Sequence, residues 1–262
     1  MEIMKMNENI HRITLPYKDI FTTVYTVKTD KGVLLFDAAS FDTDLDEYIQ
    51  PMLDELKITA EDLKYIFISH NHGDHSGGLR PIIERYPNAV ILSRSPGLAE
   101  KYADYKVEAL EDGDTVLDVL QIVTIPGHTK DSAAILDTRT NTLISGDCLQ
   151  LYGIFGSDDW ASNISHPALH LEAIAKLRTM DIENIYTAHD YHPHGFKHEG
   201  KAAVAKVYTA CEEPLTLVKI LIENNPDLDD DAIRLKFNAT GTIPTLRKKV
   251  VTAVREMLEA QK

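Results

Sequence analysis

The chain has 262 residues and 44% hydrophobic content, enough for one α/β domain of two or more layers with a substantial core. Its formal net charge of −14 lacks the basic footprint of a nucleic-acid groove and opposes anionic membranes, so neither partner is expected. Cys148 and Cys211 cannot staple a disulfide scaffold, and with no apolar leader and no run of about 18 apolar residues the expectation is a soluble cytoplasmic protein.

In chain order, apolar alternation predicts strands over 10–15 and 21–29. The turn Thr29-Asp30-Lys31-Gly32 then leads into a third strand, 33–37. Asp37 closes that strand, either as a cap or as a hydrogen-bond partner for a ligating histidine. Residues 42–56 carry Leu45, Tyr48, Ile49, Met52, Leu53 and Leu56 at helical spacing. Thr59 to Asp62 reads as a capped turn, followed by a buried strand through Tyr65 to Ser69. Helices are predicted over 79–86 and 95–102, the second capped by Ser95, with a strand over 89–92 between them. From Val107 the pattern changes to strands and tight turns: strands over 120–125, 133–136 and 142–144. A helix over 166–180 and a last strand over 182–187 follow. Residues 196–262 read as helices broken at Pro214, at Asn225-Pro226 and at Gly241, packed on the core as an appendage.

The densest chemistry lies at Ser69-His70-Asn71-His72-Gly73-Asp74-His75-Ser76-Gly77-Gly78, where a strand gives way to a loop. Imidazole and carboxylate are ligands that zinc accepts. In extended backbone, side chains at i and i+2 point the same way, so His70 and His72 can converge on one metal. Asp74 and His75, beyond the small Gly73, can turn toward a second. An isolated His-x-His would read as a solvated loop; His-x-His-x-Asp-His followed by two glycines reads as a metal site.

This motif resembles the signature of the metallo-β-lactamase-fold metallo-hydrolase superfamily, with glyoxalase II-like and lactonase-like members. The resemblance continues through the Pro126-Gly127-His128-Thr129 turn, Gly146-Asp147 after a strand, and His189 after the last strand, and covers roughly residues 10 to 195. It implies a four-layer αββα sandwich over 1–195 with a helical C-terminal extension over 196–262. It implies one metal on His70, His72 and His128, a second on Asp74, His75 and His189, and Asp147 as the bridge. Zinc is the default for this set, with iron or manganese as alternatives. The implied activity is hydrolysis of a small ester, thioester or lactone. A hydroxide shared by the metals is the nucleophile, and Asp74 orients it and accepts its proton.

Other positions carry weaker readings. Cys148 to Gly156 is an apolar stretch in which Tyr152 is a candidate hydrogen-bond donor to a small-molecule substrate; packing is the alternative. Some lactonases of the superfamily place a catalytic tyrosine shortly after the bridging aspartate; here position +3 is Gln150 and the tyrosine is at +5. Arg247-Lys248-Lys249 resembles the basic residues that glyoxalase II-like enzymes use for glutathione, with a solvated helix face as the alternative. His11, His166, His170, His192, His194 and His198 lie outside the implied site. A second function class is also open: persulfide dioxygenase-like members share the motif but use one iron, held by two histidines and an aspartate. A non-enzymatic binding module is the third. Oligomeric state is not legible.

Overall fold

The computed structural model describes residues 2–154, 161–191, 195–240 and 246–261, and these form two sheets with flanking helices. Two compact units are distinguished: Met1–Val123 with Ile135–Thr138, and Thr124–Ala134 with Arg139–Lys262.

The first unit holds a seven-stranded sheet in simple order: β1 (Met4–Lys5), β2 (Ile10–Tyr17), β3 (Ile20–Thr29), β4 (Gly32–Phe36), β5 (Leu63–Ile68), β6 (Val90–Ser93) and β7 (Val107–Glu108). β1 to β4 pair antiparallel and β4 to β7 parallel. The parallel strands are continuous apolar runs, because both faces of a parallel sheet are covered; Val33 to Phe36 and Ile66 to Ile68 are all buried. The helical spacing over 42–56 predicts one helix. The structure has instead a π-helical stretch, Leu45–Ile49, running into α1 (Gln50–Glu55). The expected face is kept: Leu45, Ile49, Met52 and Leu53 are buried in the core with Tyr48 and Leu56 packed against it. Pro51 follows directly on the π-helical stretch, at the start of α1, and offers no N–H to the turn before it. α2 (Gly73–Ser76), α3 (Leu79–Arg85) and α4 (Pro96–Lys101) follow, the last capped by Ser95 Oγ accepting from Leu98 N.

The second sheet has six strands in the order β13-β12-β11-β10-β9-β8. These are β8 (Thr115–Val116), β9 (Leu120–Thr124), β10 (Ala133–Asp137), β11 (Thr142–Gly146), β12 (Asn184–Tyr191) and β13 (Gly195–Glu199). The sequence starts the helical tail at 196, but residues 195–199 are a strand antiparallel to β12. Its polar Lys197, His198 and Glu199 give no apolar run to announce it. β12 also extends past the expected end, so His189 stands inside the strand.

The helices of the second unit among the described residues are α5 (Pro167–Leu177), α6 (Lys201–Asn224), α7 (Asp230–Asn238) and α8 (Lys248–Ala260). The break expected at Pro214 does not occur, and α6 runs through it. An interior proline costs a helical hydrogen bond, but Pro214 is buried in α6 together with Cys211, Leu215 and Val218, and this packing offsets the loss. α6, α7 and α8 share an apolar core of Leu215, Val218, Ile222, Ile233, Phe237, Val250 and Val254. Gly241, expected as a break, lies outside the described residues.

Candidate metal centre

In the first unit, β4 and β5 end side by side and deliver Asp37 and Ser69. Asp37 is fully buried in a left-handed conformation, φ 64°. It accepts from Ser69 N at 2.8 Å, Ser69 Oγ at 3.0 Å and His75 Nδ1 at 2.7 Å. Asp37 thus bonds the end of the neighbouring strand β5 rather than capping its own, and it orients the His75 ring. Burial holds its carboxyl above the usual carboxylate range, outweighing the opposite pull of the facing His75 and Ser69. With Nδ1–H of His75 given to Asp37, its Nε2 carries the lone pair, 3.4 Å from Asp74 Oδ2. His70 follows the same logic. Ser69 Oγ donates to Asp37, so it accepts from His70 Nδ1 at 3.1 Å, leaving His70 Nε2 as a lone pair 3.0 Å from His72 Nδ1. Two imidazole nitrogens this close suit a pair of ligands to one ion at about 2.0–2.1 Å each.

The loop is held by close backbone approaches. Asp74 O accepts from Thr22 Oγ1 at 2.7 Å. A Cβ on Gly77 would lie 2.0 Å from Ser40 O, and one on Gly78 would lie 2.5 Å from Ala38 O. The two glycines after the motif are thus required by the neighbouring 38–41 loop.

In the second unit, His128, Asp147 and His189 are buried. The Pro-Gly-His turn is pinned by Gly127 O, which accepts from Ser165 N and His166 N at 2.9 and 2.8 Å. His128 Nδ1 donates to Asn163 O at 2.7 Å, which again leaves Nε2 as the lone pair, 3.6 Å from Asp147 Oδ2. His189 Nε2 lies 3.1 Å from Asp147 Oδ1. Tyr191 Oη also donates to that oxygen at 3.1 Å. Gln150, 3% exposed, donates to Asp147 O and Tyr191 Oη at 3.0 and 3.1 Å and accepts from Asn163 N at 2.8 Å.

Sequence reasoning missed Gln150, Tyr191 and Asn163 as supports. Tyr191 had a signal: two residues after His189 on a strand, it shares that histidine's face. Asn163 acts through its main chain and had none.

Tyr152 is half-buried and hydrogen-bonds the Glu213 carboxylate of α6. Cys148 is buried, with Sγ donating to Ala133 O at 3.3 Å, the packing reading rather than the reactive one. Lys248 pairs with Asp231 at 2.7 Å. His170 and His198 are buried, while His192, His194, Phe155 and Gly156 lie outside the described residues. Each unit thus carries a His/Asp donor set of the kind that holds divalent metal, with three outward ring nitrogens already bonded to oxygen.

Comparison with known proteins adds the family. The family model described as the metallo-beta-lactamase superfamily matches residues 17–189. A hydroxyacylglutathione hydrolase of Nostoc punctiforme is 28% identical over 149 residues, 54% of this chain and 56% of that protein. An atrochrysone carboxyl ACP thioesterase of Emericella nidulans is 26% identical over 170 residues, 64% of this chain and 51% of that protein. The chain thus spans about half the length of these curated relatives. The crystal structure of a metallo-beta-lactamase family protein from Thermus thermophilus superposes with a TM-score of 0.67 at 18% identity, covering 98% of this chain and 95% of that one; this likeness shows the fold.

Proposed function

Since the chain belongs to the metallo-beta-lactamase superfamily, we propose that it is a dinuclear metal-dependent hydrolase of a small ester, thioester or lactone. His70, His72 and His128 would hold one divalent ion, Asp74, His75 and His189 would hold a second, and Asp147 would be shared between them, with zinc as the default metal. The observation that carries this reading is the hydrogen-bond geometry of the His70, His75 and His128 rings, each with Nδ1 within 2.7–3.1 Å of an oxygen. Buried oxygens accept the Nδ1–H groups of His75 and His128, and Ser69 Oγ that of His70, so each ring is left with an Nε2 lone pair. When bound, such an ion pair supplies Lewis-acid polarisation of the attacked carbonyl and acidification of water to a nucleophile at neutral pH. Asp74 would orient a water in that site and accept its proton. The thioester class is supported by the two relatives, one named as a hydroxyacylglutathione hydrolase and one as an ACP thioesterase.

The test is metal content by inductively coupled plasma mass spectrometry on protein purified without added metal, followed by a thioester, lactone and phosphodiester panel. About two equivalents of zinc or manganese and thioester or lactone turnover are expected. Asp74→Ala should lower turnover about 10²–10⁴-fold. One equivalent of iron with oxygen consumption would replace this reading with the dioxygenase one. Full activity in Asp74→Ala would refute the assignment.

A further inference from the structure

We propose that Gln150 and Tyr191 are positioning residues that fix the ligand geometry of Asp147 and His128. The inference rests on the reading of those two residues as metal ligands and adds what holds them.

The bonding capacity of Gln150 is nearly used up. A glutamine amide has two N–H donors and one acceptor oxygen. Here the donors go to Asp147 O and Tyr191 Oη, and the oxygen takes Asn163 N–H. The reversed amide would set an acceptor against the Asp147 carbonyl and a donor against the Asn163 N–H, so the network admits one orientation. Because Tyr191 Oη accepts from Gln150, its own proton is directed to Asp147 Oδ1. Because Asn163 is fixed by Gln150, its carbonyl is fixed as the acceptor for His128 Nδ1–H. One chain of hydrogen bonds therefore runs from His128 through Asn163, Gln150 and Tyr191 to Asp147, and both ends are ligands. Gln150, Tyr191 and Asp147 are each at most 6% exposed, so water cannot substitute for a lost partner without reorganisation.

Two distinct roles follow. Gln150 sets the spacing between the His128 and Asp147 segments. Tyr191 holds the Asp147 carboxylate in one rotamer by occupying a lone pair on Oδ1, which also moderates the basicity of that oxygen. Neither side chain needs to touch substrate.

Metal-free protein, Tyr191→Phe and Gln150→Met would be titrated with zinc against a chromophoric chelator, and the cobalt(II) forms would be compared by visible spectroscopy. Tyr208→Phe serves as the control, because its hydroxyl, at 3.5 Å from Leu177 O, is outside this network. Tyr191→Phe is expected to weaken zinc binding about 10–100-fold, with a shifted cobalt spectrum and a metal-free melting temperature a few degrees below the parent's, because Gln150 Nε2 and Asp147 Oδ1 each lose a buried partner. Tyr208→Phe is expected to match the parent in both metal readouts. If Gln150→Met fails to fold, Tyr191→Phe decides alone. Parental affinity and an unchanged cobalt spectrum in Tyr191→Phe would overturn the proposal while leaving the metal site standing. A parent protein that takes up no stoichiometric metal would overturn both.

Discussion

His170 is a fully buried ring packed directly over Gly127. A Cβ on Gly127 would fall 2.6 Å from His170 Cβ and 2.7 Å from its Nδ1, and Gly127 itself sits at φ 152°. Glycine is therefore demanded twice in the Pro-Gly-His turn, by conformation and by the imidazole over it. Burial, helped by the nearby His128, lowers the His170 pKa to about 4. The unfolded chain, with an ordinary histidine near about pH 6.5, then binds the extra proton as pH falls. Stability contributed by this difference is intact above the unfolded value and is lost between about pH 6.5 and pH 4. Between pH 7.5 and 5 the loss should be about 2 kcal/mol. Replacing His170 with Leu should flatten that limb, measured as the difference in urea unfolding free energy of metal-free parent and variant at the two pH values. An equal slope in both proteins would show that His170 does not carry it. None of this was legible in the sequence, where His170 is one of six histidines without a role. The seven positions implied as ligands stood out in the sequence because four lie within one short motif and the others follow or end apolar strand runs.

At the scale of elements, what packs with a clear period was readable and what pairs through its backbone was not. β4, β5 and β6 announced themselves as apolar runs. β13 did not, since its ladder to β12 is made by main-chain groups whatever its side chains are. The breaker rule failed at Pro214 for the reason propensity rules often fail: tertiary burial outweighs a local cost. The C-terminal helices also carry their own electrostatic tie. Asp230 on α7 accepts from Thr252 Oγ1 and Arg255 Nε on α8 at 2.6 and 2.7 Å. Burial acts to raise its pKa, but those donors prevail and hold it below the usual carboxylate range. The resulting stability is present above the unfolded value near about pH 4 and is lost as pH falls through the lower folded one. Asp230→Asn should therefore cost about 1–2 kcal/mol at pH 7 and much less at pH 3, read by urea unfolding under circular dichroism. A gap that persists unchanged at pH 3 would point to packing rather than charge.

For the whole molecule, motif order supplied the fold, and the contacts distinguish two compact units, Met1–Val123 with Ile135–Thr138 and Thr124–Ala134 with Arg139–Lys262. A sequence shows where patterns change; a contact boundary depends on which strands return, and residues 135–138 return to the first unit. Among the described residues no helix is long and apolar enough to cross a membrane. The two thiols give this molecule a use that its chemistry does not require. Cys148 follows Asp147 directly and Cys211 sits midway along α6; both are fully buried, and burial pushes the Cys211 thiol above its usual pKa. A thiol reagent therefore meets neither in the closed protein, and modification becomes a clock for opening events. With a mass-resolved label the two positions should keep different time, Cys148 counting excursions of the Asp147 segment and Cys211 counting those of the long helix. Identical rates at both, equal to the global unfolding rate, would mean that the second unit opens only as a whole.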